Sequence, residues 1–266
     1  MSNSSEIVAM LRTSELRQSI VRSLCSSTVA LFALFPGKGG ARLELAGSGT
    51  LVFTGKSHCI LTAAHVWEKV LKNSAKIGIE LTDNISHRCL FATVTMAPTV
   101  LKPDSGWSEW GPDLALLRIP PHRVGGIKAF KVFEDVKTPT KAPDFKTIGG
   151  WVAIGAPAEL GSFTSTHAVV QVSGRFVDPE YHKRSPYDYY DFKLDTTAPQ
   201  MPSTFGGMSG GGLWKVLVYC SPKTGQIDWV QRLKGVIYYE FPPQNGFRVI
   251  RCNGPQSVKA VSEMQQ

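Results

Sequence analysis

The sequence predicts an all-β fold of two packed, six-stranded antiparallel β-barrels, with a helix at the amino-terminal end and a short helix at the carboxyl-terminal end. Short runs of β-branched and aromatic residues recur along the 266 residues between glycine and proline clusters, and they fall into two groups of six. The 25 glycines and 17 prolines supply the turns that many short strands require. Closing each group into a barrel removes its exposed edges, so we expect two barrels with a cleft between them.

The first part of the chain is predicted to form a helix and then the first barrel. Residues 4–24 carry apolar side chains at helical spacing, and Asn3 and Glu6 stand at the spacing of a capping box. We assign residues 1–27 to this helical extension and residues 28–122 to the first barrel. Its six candidate strands lie at residues 28–35, 49–53, 59–62, 77–81, 90–96 and 114–119.

The second part of the chain is predicted to form a connector, the second barrel and a closing helix. Strand periodicity fades across residues 123–146, a basic stretch with prolines that we interpret as the connector. Residues 147–254 are assigned to the second barrel and residues 255–266 to a short helix. The six candidate strands of this barrel lie at residues 151–155, 167–177, 189–194, 212–218, 229–239 and 247–252.

The composition excludes several classes of protein. Apolar residues make up 42% of the chain and charged residues 19%, which excludes a disordered tail protein, a collagen-like repeat and a membrane-spanning bundle. The net charge of +8 favours encounters with anionic partners without naming one. No stretch approaches the roughly 20 apolar residues of a membrane helix, so we expect no membrane partner.

The cysteines indicate a reducing compartment. There are five of them, an odd number, and they lie far apart with no Cys-x-x-Cys pair. We therefore expect neither a disulfide framework nor a thiolate zinc site. The resulting prediction is a cytoplasmic protein that uses no metal and no cofactor.

Three segments carry residue types of nucleophilic catalysis, and they follow one another in a defined order. Residues 60–65 read Ile-Leu-Thr-Ala-Ala-His, a strand that delivers His65 at its end. Residues 111–117 place Asp113 before the apolar run Leu-Ala-Leu-Leu. Residues 206–212 hold five glycines around Met208 and Ser209. Each motif alone is weak evidence, but the ordered set of three is specific.

The three motifs together resemble those of the chymotrypsin/trypsin-like serine proteases. The resemblance lies in Thr-Ala-Ala-His, Asp-Leu-Ala-Leu-Leu and Gly-x-Ser-Gly-Gly, and in the intervals of 48 and 96 residues that separate His65, Asp113 and Ser209. It extends over most of residues 28–263. In general character the chain is most similar to the bacterial, disulfide-free members, and the resemblance implies a chymotrypsin-like double barrel with serine endopeptidase activity.

The resemblance implies a role for each residue in the hydrolysis of a protein or peptide substrate. Ser209 would form the acyl-enzyme, with His65 as its general base, because a serine hydroxyl needs a base within hydrogen-bond reach. Asp113 would orient the imidazole and stabilise the imidazolium. The backbone amides of Gly207 and Ser209 would form the oxyanion hole.

Four further residues fall where the family binds its substrate. Ser203 lies six residues before Ser209, at the position that resembles the floor of the primary specificity pocket. Tyr238, Tyr239 and Glu240 lie where the pocket wall and the substrate-pairing strand are expected. Because the floor position is not acidic, we expect an apolar or small substrate side chain, although Glu240 could attract a basic one from the rim.

Met208 departs from the zymogen-activated members of the family. It stands where those members carry an aspartate that pairs with a new amino terminus, and no Arg-Ile-Val-Gly-Gly sequence precedes the first barrel. We therefore predict that no proteolytic activation is needed to shape the oxyanion loop.

Alternative functions stay open on the sequence alone. A protease-fold binding or regulatory module would carry the same residues but keep its oxyanion loop collapsed until a partner shapes it. Nucleic-acid binding ranks last, because the basic stretch also holds Glu134, Asp135 and Asp144 and contains no recognisable binding motif. The amino-terminal helix either covers apolar surface of the barrels or docks on a regulatory partner subunit.

Overall fold

The computed structural model describes residues 13–37, 42–82, 87–104, 108–138, 141–144, 147–163, 168–197 and 201–265. It confirms that the protein is mostly β, with two large antiparallel sheets and a few short helices. The helices are α1 (Ser14–Cys25), α2 (Pro121–Lys128) and α3 (Pro255–Glu263).

The first sheet contains the strands of the amino-terminal half. In order across the sheet they run β5-β4-β1-β2-β3-β7-β6, every neighbour antiparallel, and β8 adds a short parallel pairing to β2. Their bounds are β1 (Thr28–Phe35), β2 (Arg42–Phe53), β3 (His58–Thr62), β4 (Lys76–Glu80), β5 (Arg88–Ala92), β6 (Ala97–Leu101), β7 (Leu114–Arg118) and β8 (Glu134–Asp135).

The second sheet contains the strands of the carboxyl-terminal half. Its order is β12-β9-β15-β16-β17-β14-β13, again antiparallel throughout, and a separate two-stranded sheet pairs β10 with β11. The bounds are β9 (Ile148–Gly155), β10 (Gly161–Phe163), β11 (Ala168–Val170), β12 (Ser173–Val177), β13 (Glu180–Arg184), β14 (Tyr187–Asp195), β15 (Gly212–Cys220), β16 (Ile227–Glu240) and β17 (Phe247–Asn253).

The strand count differs from the predicted six in each group. The run predicted at residues 90–96 ends as a strand at Ala92 and continues as a 3₁₀ turn, Thr93–Thr95, in which the Thr93 amide donates to the Ala75 carbonyl. The run predicted at residues 167–177 is divided between β11 and β12. The strand β13 was missed because its sequence, Glu-Tyr-His-Lys-Arg, has no apolar face.

Elements also form where the sequence predicted only a connector. Pro121 begins α2, at the position where proline suits a helix best, and β8 follows six residues after that helix ends. The helix predicted at residues 4–24 is described from Ser14 onward, and residues 4–12 of that prediction lie outside the described residues.

The terminal helices cover apolar faces of the two sheets. Ile20 and Leu24 of α1 are fully buried against Val152, Ile154 and Trp214 of the second sheet. In the same way, α3 packs with apolar residues of β2, β3 and β7 in the first sheet. The amino-terminal helix therefore covers apolar surface, which is one of its two predicted roles. Among the described residues, no helix combines the length and the apolar character that crossing a membrane requires.

Candidate active site

The structure brings His65 and Asp113 together as a hydrogen-bonded pair. His65 follows the end of β3, and Asp113 immediately precedes β7, the antiparallel neighbour of β3. Asp113 Oδ2 lies 2.6 Å from His65 Nδ1, and the His65 backbone amide donates to Asp113 Oδ1 at 2.9 Å. A single carboxylate thus holds both the ring and the backbone of the histidine.

This pairing assigns the two ring nitrogens of His65 different roles. When Nδ1 donates to a carboxylate, the neutral imidazole carries its proton there and Nε2 becomes an acceptor. The side chain of His65 is 27% exposed, whereas that of Asp113 is only 7% exposed. The pair therefore has a buried acid behind a histidine that reaches solvent, as a general base requires.

Asn253 holds the backbone of Asp113 from the other sheet. The Asp113 amide donates to Asn253 Oδ1 at 3.1 Å, and Asn253 Nδ2 donates back to the Asp113 carbonyl at 3.1 Å. Asn253 is the last residue of β17 and is fully buried. Sequence reasoning missed this residue, because its only signal was the dipeptide Asn253-Gly254, a common turn signal.

The second sheet also fixes the segment that leads into Asp113. The Tyr238 hydroxyl donates to the Glu109 carbonyl at 2.6 Å, and Arg251 Nη1 donates to the same carbonyl at 3.0 Å. Asp191 holds the Arg251 guanidinium through two hydrogen bonds of 2.7 Å. Such two-point pairing fixes the orientation of an arginine more firmly than a single contact.

Tyr189 extends this anchor to the next residue of the segment. Its hydroxyl donates to the Trp110 carbonyl, and the two rings meet edge to face. Burial raises the pKa of Tyr189 to about 12 and also raises the pKa of Tyr238. Both hydroxyls therefore remain donors at neutral pH.

Ser209 lies in a glycine-rich loop whose peptide planes are fixed by hydrogen bonds. At residues 206–207, the Gly206 carbonyl accepts from the Ala158 amide at 2.7 Å. The C=O and N–H of a trans peptide point in opposite directions, so the Gly207 amide points away from Ala158. No hydrogen bond among the described residues uses this amide.

The peptide between Met208 and Ser209 is fixed in the same way. The Met208 carbonyl accepts from the Gly211 amide at 2.8 Å, which turns the Ser209 amide away from Gly211. Within the described part of the chain, the Ser209 amide also makes no hydrogen bond. The two amides predicted for the oxyanion hole are both free to donate.

Ser48 on β2 fastens this loop to the first sheet. Its amide donates to the Ser209 carbonyl at 2.8 Å, and its hydroxyl donates to the Gly207 carbonyl at 2.7 Å. The same hydroxyl accepts from the Ala156 amide at 2.9 Å. Ser48 is fully buried and was not predicted as a site residue.

Two glycines allow the loop to approach the first sheet closely. Gly210 has φ +94°, and a Cβ there would lie 1.9 Å from the Ser48 carbonyl oxygen and 2.2 Å from Thr62 Oγ1. A Cβ on Gly47 would lie 2.8 Å from the Ser209 carbonyl oxygen and 2.9 Å from the side chain of Val66. Gly47 therefore lies between the Ser209 backbone and Val66, the residue that follows His65.

The Ser209 hydroxyl is half-buried and has not formed a hydrogen bond with His65. Among the described residues, its Oγ makes no hydrogen bond at all. Unliganded sites often show such loose contacts between a nucleophile and its base, which tighten when substrate binds. The structure thus joins His65 to Asp113 directly and brings in Ser209 through its backbone.

Apolar packing supports the loop at Met208. Met208 is 4% exposed and packs with Phe205, Leu213 and Ile237 in the core of the second sheet. Its backbone amide donates to the Phe205 carbonyl at 3.0 Å.

Ser203, predicted at the floor of the specificity pocket, is exposed and binds a carboxylate of its own chain. Its amide and hydroxyl donate to Glu159 at 2.6 and 2.7 Å, and both donors of Thr204 add two bonds of 3.0 Å. The hydroxyl bond from Ser203, followed by its amide bond, lowers the pKa of Glu159. An acid therefore lies beside the position that sequence alone showed as non-acidic.

Glu240 is paired with groups of its own chain. Its Oε2 accepts from the Phe205 amide at 3.1 Å, and its Oε1 lies 2.6 Å from Arg248 Nη1, outside hydrogen-bond angles but at ion-pair distance. Tyr239 is half-buried beside it. Tyr238 is 2% exposed, so its side chain supports the Asp113 segment and offers no surface to a substrate.

The register of β16 accounts for the inward direction of Tyr238. The pairing with β17 shifts between Ile237 and Tyr239, which places an irregularity at Tyr238. Such bulges turn a side chain away from the regular alternation of a strand. The resemblance placed Tyr238 where substrate is expected to bind, and strand periodicity gives no sign of a bulge there.

A cavity of about 240 Å³ adjoins the His65–Asp113 pair. Beyond the pair it is lined by Glu68 and Lys102, which form an ion pair, and by neighbouring residues of both segments. Among the described residues, no group of histidine, cysteine and acidic side chains could hold a metal ion.

Comparison with known proteins gives little further guidance. No family model matches the chain, and no curated protein matches it. Among solved structures, the chain is similar to one described as "Aromatic interactions drive the coupled folding and binding of the intrinsically disordered Sesbania mosaic virus VPg protein". The two share 13% identity, with 89% of this chain and 90% of that chain covered and a TM-score of 0.44. At that TM-score the likeness supports no inference about fold or function.

Proposed function

We propose that the protein is a serine endopeptidase that hydrolyses peptide bonds through an acyl-enzyme on Ser209. The observation that carries the proposal is the hydrogen-bonded His65–Asp113 pair together with the free amides of Gly207 and Ser209. These are the two parts that acyl transfer needs besides the nucleophile, namely a base and an oxyanion site.

In the proposed reaction, His65 Nε2 accepts the Ser209 proton as the hydroxyl oxygen attacks the substrate carbonyl. The Asp113 carboxylate then stabilises the imidazolium through the 2.6 Å contact to Nδ1. The same histidine returns the proton to the leaving amine, and water repeats the sequence to release the acyl group. Asp113 stays ionised throughout.

The oxyanion is proposed to bind at the amides of Gly207 and Ser209. Neither amide has to break an existing hydrogen bond among the described residues before it donates. The carbonyls that precede them are held by Ala158 and Gly211, so the donors need little reorganisation. Removing a single donor of this kind costs about 2.7 to 4 kcal/mol of transition-state stabilisation in measured enzymes.

We also propose that the two sheets form the two barrels of a chymotrypsin-like fold. In the first sheet, β5 and β6 are joined by residues 93–96, so one bent segment links β4 to β7. If β5 and β6 are counted together as the fifth strand along the chain, β7 becomes the sixth. The order of strands across the first sheet is then 4-1-2-3-6-5. In the second sheet, the six strands β9, β12, β14, β15, β16 and β17 can be numbered 1 to 6 along the chain, and their order across the sheet is then 2-1-4-5-6-3. When each order is closed into a ring, the two sheets have the same sequence of neighbouring strands.

For substrate selection, we propose a preference for an apolar or small side chain at the primary pocket. Glu240 is paired with Arg248 and with the Phe205 amide, so its charge is already balanced within the protein. The four donors of Ser203 and Thr204 likewise satisfy Glu159. Strict cleavage after arginine or lysine in a peptide library would overturn this preference.

Activity is proposed to require no new amino terminus. Buried Met208 and the hydrogen bonds of Ser48 already hold the loop. The five cysteines are free thiols, which supports a reducing compartment such as the cytoplasm.

The experiment that tests the proposal is hydrolysis of a labelled, denatured casein and of a mixed peptide library. We expect cleavage by the wild type and loss of cleavage in His65→Ala and Ser209→Ala. The matched controls, His122→Ala and Ser19→Ala, change exposed residues of the same types far from the site in sequence and should retain full activity. Equal cleavage by the wild type and Ser209→Ala would refute the proposal.

A protease-fold binding module remains the second candidate function. One observation favours it: the Ser209 hydroxyl has no hydrogen bond to His65 among the described residues. A module of this kind would bind a peptide or a partner subunit without cleaving it, and its affinity would be the same in the wild type and in Ser209→Ala.

A further inference from the structure

A large basic cavity lies beside α1, where that helix meets both halves of the protein. Its volume is about 860 Å³. Four of its lining residues are cationic: Arg17 and Arg22 on α1, Lys131 after α2, and Arg175 on β12. The described residues that line the cavity include no aspartate or glutamate. The cavity lies outside the proposed catalytic residues, none of which lines it.

The arginines of this cavity have no carboxylate partner among the described residues. Arg17 stacks on the Phe176 ring at 4.4 Å from its centroid and makes no ion pair. Among the described residues, the hydrogen bonds of Arg175 are limited to a contact of 3.1 Å from its Nε to the sulfur of Met201. All three arginines are exposed at the rim, so their N–H groups are available to a ligand.

Lys131 supplies a positive charge at the inner side of the cavity. Its Nζ donates to the Thr28 carbonyl at 2.8 Å and to the Cys25 carbonyl at 3.0 Å, which leaves one of its three hydrogens free. The nearest buried acid, Glu80, is already engaged by Arg88 and by the Val170 amide. A bound anion would therefore complete the coordination of a half-buried ammonium group.

We propose that this cavity binds a ligand with two or more adjacent phosphate groups. Guanidinium groups match phosphate oxygens with paired N–H donors, and four cations around one cavity require several negative charges at close spacing. Each phosphate group presents several acceptor oxygens, and a nucleic-acid strand or a polyphosphate carries a charged group in every repeating unit, so one such ligand can pair with several of these cations at once.

The amides of Gln18 and Gln171 give the same cavity neutral donors and acceptors. Such groups read the edges of nucleobases, whereas a bare polyphosphate has no use for them. The shared chemistry is the phosphate cluster, and its source is either a nucleic-acid strand or a free polyphosphate or nucleotide. The four cations of this cavity account for part of the net charge of +8.

The test is fluorescence anisotropy of a labelled single-stranded RNA decamer with the full-length protein. The variant is Arg17→Gln, Arg22→Gln and Arg175→Gln together, and the control of equal charge is Lys56→Gln, Lys72→Gln and Lys223→Gln, all exposed and outside the cavity. We expect the arginine variant to bind about tenfold or more weakly, with the slope of affinity against salt reduced by about 2. The lysine control should stay within about threefold of the wild type, the modest change expected when only long-range charge is removed.

Competition identifies the source of the phosphates. Displacement of the decamer by tripolyphosphate or ATP at similar concentration would show that a small ligand suffices, whereas displacement only by unlabelled strands would assign a nucleic acid. An aspartate-rich decapeptide that displaces the decamer equally well would overturn the phosphate claim.

Two further results would also overturn the proposal: no binding of any phosphate probe at low salt, or equal weakening in the arginine variant and the lysine control. Thermal melting checks that the variants fold, and the double variant Arg22→Gln, Arg175→Gln keeps the Arg17–Phe176 contact if the triple variant does not. Ser209→Ala should bind like the wild type, so this test is independent of the proposed peptidase activity.

Discussion

His65 and Asp113 are positioned by polar side chains, whereas Ser209 is positioned by backbone hydrogen bonds and by glycines that leave no room for a side chain. On the first side, Asn253, Tyr238 and Arg251 all reach across from the second sheet. On the second side, a Cβ at Gly210 would lie 1.9 Å from a carbonyl oxygen. The position of the acid–base pair therefore depends on side-chain hydrogen bonds. The position of the Ser209 loop depends on glycines, which allow its backbone to approach the first sheet.

Residues of both sheets hold each half of the candidate site. The Asp113 segment belongs to the first sheet but is held by residues of the second, and the Ser209 loop belongs to the second but is held by Ser48 of the first. Each half of the site is thus fixed by the opposite half of the protein. Changes at these contacts should affect catalysis before they affect folding of either sheet.

The largest expected effect is on the acid–base pair, through Asp113→Asn. An amide in place of the carboxylate favours the wrong imidazole tautomer, and in a measured protease of this chemistry such a change lowers kcat about 10⁴-fold. The measurement is single-turnover peptide hydrolysis. Asp104→Asn, at an exposed position nearby in sequence, should leave the rate unchanged, and a loss under tenfold in Asp113→Asn would separate this chain from the triad mechanism.

The next effect is on the loop, through Gly210→Ala. The added Cβ meets the Ser48 carbonyl and Thr62 at φ +94°, so we expect the free energy of unfolding to fall by about 3 kcal/mol or more. Gly225→Ala is the matched control, since it has φ +69° but no atom within 4 Å, and should cost about 1 to 2 kcal/mol of strain. Chemical denaturation measures both, and equal losses would show that space at Gly210 is unimportant.

A smaller effect is expected from Ser48→Ala, which removes the side-chain link between the loop and the first sheet. It deletes the bond to the Gly207 carbonyl and leaves the Ala156 amide without its partner. We expect kcat to fall about 10-fold to 100-fold, since the oxyanion donors lose their rigid support. Ser23→Ala, on α1, is the control. Unchanged kcat in Ser48→Ala would show that glycine packing alone positions the loop.

The smallest effect concerns pH and lies outside both regions, which allows stability and catalysis to be separated. Burial raises the pKa of Glu134, on β8, to about 7 from its usual 4.5. Because the folded state binds this proton more tightly, its contribution to the free energy of unfolding is fully present below pH 4.5 and is lost as pH rises toward 7. The full shift corresponds to about 3 kcal/mol, and solvent screening of this half-buried carboxylate reduces the loss to about 1 to 2 kcal/mol. Glu134→Gln should flatten this part of the stability profile without moving the pH dependence of kcat, and an unchanged stability profile would contradict the assignment.

The sequence located the residues of the candidate site better than the residues that support them. His65 and Asp113 were found because a strand that ends in a histidine and an acid that enters an apolar strand are local signals. Asn253 and Ser48 could not be found in the same way, because each acts on residues more than 100 positions away. Such contacts depend on how the two sheets pack, which no local pattern encodes.

The fold shows the same division between local and distant information. Runs of β-branched residues predicted most strands, but β6, the charged strand β13 and the division of the run at residues 167–177 into β11 and β12 were missed. Tyr238 was expected to contact substrate because of the family resemblance, whereas the shifted register of β16 turns its side chain into the core. Periodicity assigns faces of regular strands and fails where a strand is irregular.

Covalent labelling of Ser209 by a fluorophosphonate tests the central claim most directly, because the reaction requires both the activated nucleophile and the oxyanion site. Intact-mass analysis and peptide mapping would measure it at neutral pH. We predict one adduct on Ser209 in the wild type, much slower labelling in His65→Ala and none in Ser209→Ala. A wild-type protein that stays unlabelled under all conditions, or a Ser209→Ala variant that labels equally, would contradict a serine endopeptidase built on this site.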